Sequence, residues 1–157
     1  TTEKKPFHIP ITVALLSQDG KAQSFEFNGG HYNEVLLHLK DEQQQFVFER
    51  VESETIPSIL RNFSAPVIID YDYTEEALIT LAAHDNDHYN RWEAVQIIAA
   101  NEIKRLYALD NLSDFDYKTV TINPKVIDLW SQNLLDPALD AAYRSELLTL
   151  PSIKILL

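Results

Sequence analysis

The chain has 157 residues, of which 45% are hydrophobic, so it can bury a sizeable core as one domain or two small ones. Its 24 acidic and 13 basic residues give a formal charge of -11, which would repel nucleic-acid phosphates and anionic membrane surfaces. No cysteine occurs, so disulfides and thiolate metal sites are excluded. No apolar run reaches membrane-spanning length. We therefore expect neither a nucleic-acid nor a membrane partner.

Alternating apolar side chains predict strands in the first half of the chain. Residues 7–16 form the first, and Pro6 and Pro10 place its start at an edge or a bulge, because proline cannot donate to a ladder. Asp19-Gly20 predicts a tight turn into a partner strand over 24–28. Asn28-Gly29-Gly30 predicts the next turn.

Further strands are predicted over 34–39, over 45–51 and over 65–71, while Pro57 indicates that 56–61 is an edge or a connection. Short strands at intervals of roughly ten residues favour an antiparallel, immunoglobulin-like β-sandwich. Five strands are convincing, whereas such a sandwich usually has about seven. We therefore expect the sandwich to be incomplete.

The second half has helical periodicity. Thr74, followed by two glutamates, predicts a helix that begins there and runs to about residue 83. Residues 85–87 predict a turn, and a second helix follows from about 87 to 109. The apolar stripe of this second helix consists of Trp92, Val95, Ala99, Ile103 and Leu106.

Two more helices are predicted after a polar loop over 110–123, which could include a short extended piece at Val120 and Ile122. Pro124 and then Asp136-Pro137 are helix-start signals. The residues expected to be buried are Val126, Ile127, Trp130 and Leu134 in the third helix, and Leu139, Ala142, Tyr143, Leu147 and Leu150 in the fourth. The apolar residues 153–157 look like the opening of another element, as in an α-solenoid.

His84 and His88 are the sharpest candidates for chemistry, because two histidines four residues apart can share a helix face and bind zinc. The intervening residues 85–87 predict a turn that would break this face, so solvated or capping roles are the stronger interpretation. None of the five histidines is followed by glutamate, as a metallopeptidase helix requires.

The remaining polar candidates have structural interpretations. The acidic pairs Glu75/Glu76, Glu52/Glu54 and Asp114/Asp116 are typical of caps or solvated faces, Gly29-Gly30 of a turn, and Ser58 and Ser64 lack nucleophile-elbow glycines. Trp92 and Trp130 are expected in the core, although either could anchor an interface. Arg91 could pair with Glu93 or with a carboxylate of the neighbouring layer.

Several segments, in order along nearly the whole chain, carry a resemblance that is more specific than any single motif. They are Lys5-Pro6-Phe7-His8-Ile9-Pro10-Ile11 with Leu15 and Asp19-Gly20; Phe46-Val47-Phe48; residues 56–67, which include Phe-Ser-Ala-Pro-Val; Asp87 and Tyr89-Asn90-Arg91-Trp92-Glu93-Ala94 with Gln96; and residues 135–139 and 148–152. In these segments the chain resembles the bacterial alanyl aminopeptidase N family, zinc metallopeptidases of the gluzincin group.

The resemblance implies two structural domains. Residues 1–72 would be the small β-sandwich that follows the catalytic domain, and residues 73–157 the first antiparallel helices of a large α-helical domain. Two sandwich strands would then precede Thr1 and further helices would follow Leu157, so we expect an excised piece. The structural junction is expected at Asp87, Tyr89, Arg91, Trp92 and Glu93, where the second helix begins.

The motifs that carry the family's chemistry do not occur in this chain. Its zinc site is His-Glu-x-x-His with a more distant glutamate, and a Gly-Ala-Met-Glu-Asn segment holds the substrate amino group; the chain contains no methionine at all. We therefore expect no catalytic, cofactor-binding or metal-binding residue here, with the zinc in the parent's catalytic domain. We also expect a cytoplasmic location.

Three functional hypotheses follow. The first is a non-catalytic segment that links and positions a helical cap against the catalytic domain, with the remainder of the parent aminopeptidase as its partner. The second is a stand-alone protein-interaction module that uses an open sandwich edge. The third is a small hydrolase that uses His84 and His88. In isolation, the chain is expected to self-associate through exposed edges and apolar faces.

Overall fold

The structure, a computed structural model, describes residues 6–51, 54–110 and 120–152. Predictions about residues 1–5, Glu52, the Asp114/Asp116 pair, most of the loop over 110–123 and the apolar residues 153–157 lie outside these ranges. Strands come first and helices second. The expected class, an antiparallel immunoglobulin-like β part followed by antiparallel helices, is confirmed.

Strand β1, Ile9–Leu16, is the centre of the larger sheet. It pairs antiparallel with β5, Glu34–Leu39, along residues 9–14, and with β6, Ile56–Ile59, along residues 13–16. The short strand β2, Ala22–Gln23, returns from the Asp19-Gly20 turn and pairs with the end of β1. The start of β1 thus has a strand partner on one side within the described residues, which agrees with the edge position expected from its prolines.

The smaller sheet is a hairpin of β3, Phe25–Phe27, and β4, Gly30–Tyr32. Its turn has positive φ at Asn28 (51°) and Gly29 (78°), the conformation that a two-residue hairpin loop requires. The prediction that residues 24–28 pair with β1 is therefore wrong: after the Asp19-Gly20 turn it is Ala22–Gln23 that pairs with β1, whereas Phe25–Phe27 pairs with β4. The physical reason is burial: Phe25 is fully buried and packs on the face of β1 that carries Val13 and Leu15. Its strand therefore lies over that face and not beside β1.

Two other predicted strands are also wrong. Residues 45–51 make only a single bridge, in which Glu49 and Glu26 exchange backbone hydrogen bonds of 2.8 and 2.9 Å. Residues 65–71 form no strand; the N–H of Val67 is bonded to the carbonyl of Ala65, and Ile68 is 97% exposed. By contrast, residues 56–59, which contain Pro57, form the edge strand β6. Hydrophobic alternation alone therefore predicted two strands, over 45–51 and 65–71, that do not form.

Four helices follow: α1, Glu75–His84; α2, His88–Asp110; α3, Pro124–Leu135; and α4, Ala141–Leu147. The side chains of Thr74, Asn123 and Asp140 cap α1, α3 and α4 by accepting backbone N–H groups. α1 and α2 pack against each other, and α3 and α4 cover them. None of the described helices is long and apolar enough to cross a membrane.

Helices α3 and α4 differ from their predictions in two ways. α4 begins at Ala141 rather than at Asp136-Pro137, because the Asp136 carboxylate accepts the N–H of Ala138 and so forms a turn there. In α3, the expected apolar residues Ile127 and Leu134 are each 47% exposed. The buried face consists of Val126, Leu129 and Asn133. In the last helical segment, Leu147 is buried as expected, but Ala142 and Leu150 are exposed. Residues 120–123 are irregular, so no extended piece forms there.

The end of β1 lies between two hydrophobic cores. One face contributes Val13 and Leu15 to a core with Phe25 and the inward side chains of β5. The other face contributes Leu16, which with Ile56 packs on the helices. Each such side chain contributes about 1.5–3 kcal/mol on full burial. The larger sheet is therefore the middle layer of the molecule, with the hairpin on one side and the helices on the other.

The β1–β2 turn supplies a prediction about stability. Gly20 has φ +80°, and a methyl group there would overlap the ring of His84 on α1. Gly29 has φ +78°, but nothing lies within 4 Å of its substituent position. Gly29→Ala should cost only the left-handed backbone strain of about 1–2 kcal/mol. Gly20→Ala should lower the free energy of unfolding by about 1 kcal/mol or more in addition to this strain, because its methyl group would also overlap the His84 side chain. Urea unfolding of both variants measures the difference.

The added loss in Gly20→Ala should be recovered when His84→Ala is combined with it, because the smaller side chain leaves room for the methyl group. Equal losses in the two glycine variants would show that the turn does not pack on α1 in solution.

Candidate junction between the sheets and the helices

Arg61 is the centre of the contact between the sheet layer and the helices. It is 6% exposed and follows β6 in a short 3₁₀ turn, Arg61–Phe63. Its Nε donates to Glu34 on β5 at 2.5 Å. Its Nη1 donates to Ser58 Oγ on β6 at 3.0 Å and to Asp85 Oδ1 at 2.8 Å, and its Nη2 donates to Asn86 Oδ1. One guanidinium thus joins two strands to the α1–α2 turn.

The backbone around Arg61 is held in an uncommon conformation. Leu60, Asn62 and Phe63 have φ values of 66°, 54° and 49°, in the left-handed region that non-glycine residues rarely adopt. Such a conformation costs about 1–3 kcal/mol per residue and persists where the surroundings determine it. The contacts that hold it are those of Arg61 and the N–H of Asn62, which donates to Asp87 Oδ2 at 2.8 Å.

Asp87 connects the same turn to helix α2. Its Oδ1 accepts the N–H of Asn90 at 2.9 Å, which caps the helix, while Oδ2 accepts the N–H of Asn62 from the sheet side. Asn90 in turn donates from Nδ2 to Ser58 Oγ at 2.7 Å. The start of α2 is therefore fixed to β6 and to the residues that follow it by side chains that also satisfy free backbone groups.

Asp85 is the most deeply buried carboxylate in the junction, with no exposed surface. Its Oδ1 accepts from Arg61 and from the N–H of Asp87, at 2.8 and 2.9 Å, and its Oδ2 has no hydrogen-bond partner among the described residues. Burial raises the pKa of Asp85 above its ordinary value of 3.8, against the opposing effects of Ser58, the Asp87 N–H and Arg61. The folded state therefore binds a proton at Asp85 more tightly than the unfolded chain does.

This pKa shift predicts how stability changes with pH. Because the folded pKa is raised, the contribution of Asp85 to the free energy of unfolding should fall as pH rises from about 3.8 through the folded value. The test is urea unfolding of the wild type and of Asp85→Asn at several pH values from 3.5 to 7. The free energy of unfolding of the wild type minus that of Asp85→Asn should decrease as the pH rises. A difference that grows with pH would show that Arg61 outweighs burial at this carboxylate.

Arg91 forms a second network within the helices. Its Nε and Nη2 donate to Asn133 Oδ1 on α3 at 3.0 and 2.6 Å, and Nη2 also donates to Asp136 Oδ2 at 3.2 Å. The expected partner was Glu93 or a carboxylate of the neighbouring layer; the described carboxylate partner is instead Asp136, which follows α3 in the same helical layer as Arg91. The N–H of Ala138, and then Arg91, lower the pKa of Asp136. This network fixes α3 and the turn after it to the start of α2.

The five residues expected at the junction take different positions. Asp87 contacts the residues that follow β6, and the Tyr89 ring lies 5.2 Å from that of Phe63. Arg91 faces the helices, and Trp92 is half-buried in the helical core. Glu93 contacts Tyr89. Burial, and secondly the nearby Glu93 carboxylate, raise the pKa of the Tyr89 hydroxyl to about 12. Their shared junction role stays a prediction.

An apolar groove lies beside this junction. It has a volume of about 320 Å³ and separates the irregular residues after β6 from helices α1 and α2. Its wall on the strand side includes Val67, Ile68 and Tyr71, and its helical wall includes Tyr89 and Ile97. Tyr73 closes one end and donates from its hydroxyl to the carbonyl of Pro57 at 2.6 Å. Its polar lining includes Glu93, and Ser58 and Asn90, which are hydrogen-bonded to each other.

The histidine pair considered for zinc is divided by the turn. His84 is the last residue of α1 and is exposed, whereas His88 is the first residue of α2 and stacks on Tyr143 at 4.2 Å. The two therefore do not share a helix face. Across the described residues, no group of three or more histidine, cysteine, aspartate or glutamate side chains is arranged to hold a metal ion.

The other polar candidates have structural contacts. Glu75 and Glu76, in the first turn of α1, face Lys125 at 3.3 and 3.6 Å. Ser58 belongs to the Arg61 network, and Ser64 Oγ accepts the N–H of Thr12 at 2.9 Å. The Gly29-Gly30 pair lies at the β3–β4 turn.

Arg61 and Asn133 were not predicted from the sequence, although each joins separate elements. Arg61 lies within the resembling run over 56–67, which was the one available signal. Asn133 lies on an otherwise apolar helix face, and a polar residue there indicates a buried partner.

The chain is a two-part structural module. Two antiparallel sheets are joined to antiparallel helices through the buried Arg61. Two family models match the chain. One is described as a domain of unknown function (DUF3458) with an Ig-like fold and matches residues 1–72. The other is described as a domain of unknown function (DUF3458_C) with ARM repeats and matches residues 75–157. The chain belongs to the latter family, whose model matches more than half of it.

Relatives confirm the resemblance to aminopeptidase N. The chain is 33% identical over 151 residues to aminopeptidase N of Escherichia coli and 33% identical over 150 residues to that of Haemophilus influenzae, covering 96% and 95% of this chain. It spans only 17% of the length of each of these relatives. A crystal structure of Legionella pneumophila aminopeptidase A in complex with aspartic acid is similar with a TM-score of 0.73 and 30% identity, over 95% of this chain and 16% of that one.

Proposed function

We propose that this chain is a non-catalytic structural segment of a cytoplasmic, zinc-dependent aminopeptidase that removes N-terminal amino acids from peptides. In this role the segment links the catalytic domain to a helical domain and fixes the position of the helices. Its partners are the remaining parts of the same enzyme. The zinc, in this proposal, is held by the catalytic domain and by no residue of this chain.

The observation that carries the proposal is the Arg61 network. Its acceptors come from β5, from β6 and from the α1–α2 turn, so the guanidinium holds sheet and helices in one orientation. A linker between independently moving domains would not need four acceptors around one buried cation. The similarity to a 17% portion of aminopeptidase N supports the same role.

An activity assay of the chain tests the non-catalytic part of the proposal. The purified chain, incubated with zinc and an alanyl anilide, should release no amine above the rate without protein, while a bacterial aminopeptidase N releases it in parallel. Release that requires added zinc and is abolished by His84→Ala would overturn the proposal in favour of the small hydrolase.

The size of the native product tests the structural part. An antibody against this segment should detect, in source cells, a polypeptide much larger than 18.0 kDa, with His-Glu-x-x-His encoded upstream of Thr1. Detection of an 18.0 kDa product alone would contradict the proposal. It would instead support the stand-alone interaction module, for which β5 offers an edge that pairs only with β1 among the described residues.

Exposed apolar side chains predict that the isolated chain self-associates. Ile68, Leu135 and Leu150 are 97%, 75% and 58% exposed, and the groove beside Tyr71 is also apolar. Sedimentation velocity should show an average mass that rises with concentration in the micromolar range. Replacement of Leu135 by Lys should reduce this rise, and a monomer at every concentration would contradict the prediction.

A further inference from the structure

Two exposed histidines meet at the end of the β1–β5 ladder that is opposite the Arg61 network, since Glu34 lies across from Ala14 and His38 across from Pro10. His8 immediately precedes β1 and His38 lies on β5. The register pairs Pro10 with His38, so His8 is the diagonal neighbour of His38 on the same face of the sheet. His8 Nε2 and His38 Nδ1 are 2.9 Å apart, and the ring centroids are 5.0 Å apart.

This separation matches the spacing of two adjacent ligands on a transition metal. Two metal–nitrogen bonds of about 2.0 Å span about 2.8 Å at a right angle and about 3.3 Å at a tetrahedral angle. Right angles between nitrogen ligands are characteristic of tetragonal Cu(II) and Ni(II), whereas Zn(II) prefers a tetrahedron. The nitrogen–nitrogen distance is therefore closer to the tetragonal spacing.

We propose that His8 and His38 form a two-imidazole chelate for a divalent cation of the Cu(II) or Ni(II) type, with water in the remaining coordination positions. Imidazole is a preferred ligand for these ions, and the sequence has five histidines and no cysteine or methionine to compete with them. The formal charge of -11 also favours the approach of a cation.

The chelate requires a change of tautomer. At present one proton lies between the two nitrogens, because a hydrogen bond between them needs one donor and one acceptor. Metal binding needs both inner lone pairs, so the donor ring loses the shared proton to solvent and takes up one at its own outer nitrogen, while the acceptor ring already has its proton on the outer side. His8 is then protonated at Nδ1 and His38 at Nε2. Both side chains are exposed, and a small rotation of each ring directs both lone pairs to one ion.

Titration of the chain with Cu(II) tests the site. The first equivalent should broaden the imidazole NMR signals of His8 and His38 before those of the other histidines. In calorimetry, His8→Ala and His38→Ala should each weaken the first binding event at least tenfold. Zn(II) should bind more weakly than Cu(II) at the same pair, as the order of divalent affinities predicts.

His31→Ala is the matched control, because His31 is exposed on β4 in the other sheet and should leave the first binding event unchanged. Circular dichroism checks that each variant is folded, which is expected since both ligands are at the surface. Copper affinity that is unchanged in both His8→Ala and His38→Ala would overturn the proposal. Broadening of His31, His84 or His88 first would also overturn it.

Discussion

Replacement of Arg61 by alanine should lower the free energy of unfolding by about 3–5 kcal/mol, the usual loss when one partner of a buried ion pair is removed. The variant leaves Asp85, which has no exposed surface, without its cationic partner. It also removes a donor from Ser58 and the guanidinium that joins Glu34 on β5 to Asn86 in the turn between α1 and α2. Urea unfolding, monitored by tryptophan fluorescence, measures the loss.

Arg50→Ala is the matched control for Arg61→Ala. Arg50 pairs with Glu26 at 3.2 Å but its side chain is 77% exposed, so its removal should cost no more than about 1 kcal/mol. Arg61→Met combined with Asp85→Asn should lose less than the sum of the two single changes, because no uncompensated charge is then buried. Equal losses in Arg61→Ala and Arg50→Ala would show that the junction network contributes nothing particular to stability.

The helices were the most predictable part of the fold, because their signals are local. Thr74 caps α1 and the turn over 85–87 separates α1 from α2, as their sequence predicts. A capping side chain acts within three residues of itself, so its effect can be found without knowledge of the tertiary structure.

The strands were less predictable, because their pairing depends on residues far along the chain. The run over 24–28 alternates well enough for a partner of β1, yet Phe25 and Phe27 belong to a separate hairpin. Phe46 and Phe48 pack against that hairpin's core although their segment forms no regular strand. Alternation predicted which side chains face inward but not which neighbour supplies the hydrogen bonds.

The central residue of the junction could not be predicted from the sequence. The polar turn and the helical periodicity indicated where α2 begins, but the shared junction role of Asp87, Tyr89, Arg91, Trp92 and Glu93 stays a prediction. Arg61 depends on acceptors at positions 34, 58, 85 and 86, which no spacing rule connects. The buried face of α3 was predicted only in part: Val126 is buried as expected, but periodicity favours apolar residues and did not predict the buried Asn133.

Replacement of Asn133 by alanine should lower the free energy of unfolding by about 2–3 kcal/mol, which for a chain of this size corresponds to a fall in Tm of about 4–12 °C. Asn133 has no exposed surface; it accepts from Nε and Nη2 of Arg91 and donates to the carbonyl of Ala82 on α1. Its loss leaves the buried guanidinium of Arg91 with Asp136, at 3.2 Å, as its remaining hydrogen-bond partner in the part of the chain that the structure describes. Differential scanning calorimetry measures the change.

Two further variants separate hydrogen bonding from packing at this position. Gln132→Ala changes an exposed amide on the same helix and should shift the free energy of unfolding by no more than about 0.5 kcal/mol. Asn133→Leu restores most of the side-chain volume but none of the hydrogen bonds, so it should lose nearly as much as Asn133→Ala if the unpaired Arg91 dominates the cost. Full stability in the leucine variant would mean instead that Asn133 only fills space between α1, α2 and α3. Since Asn133 is hydrogen-bonded to both α1 and α2, that outcome would leave apolar packing and the ion pairs of Lys125 to set the angle at which α3 docks.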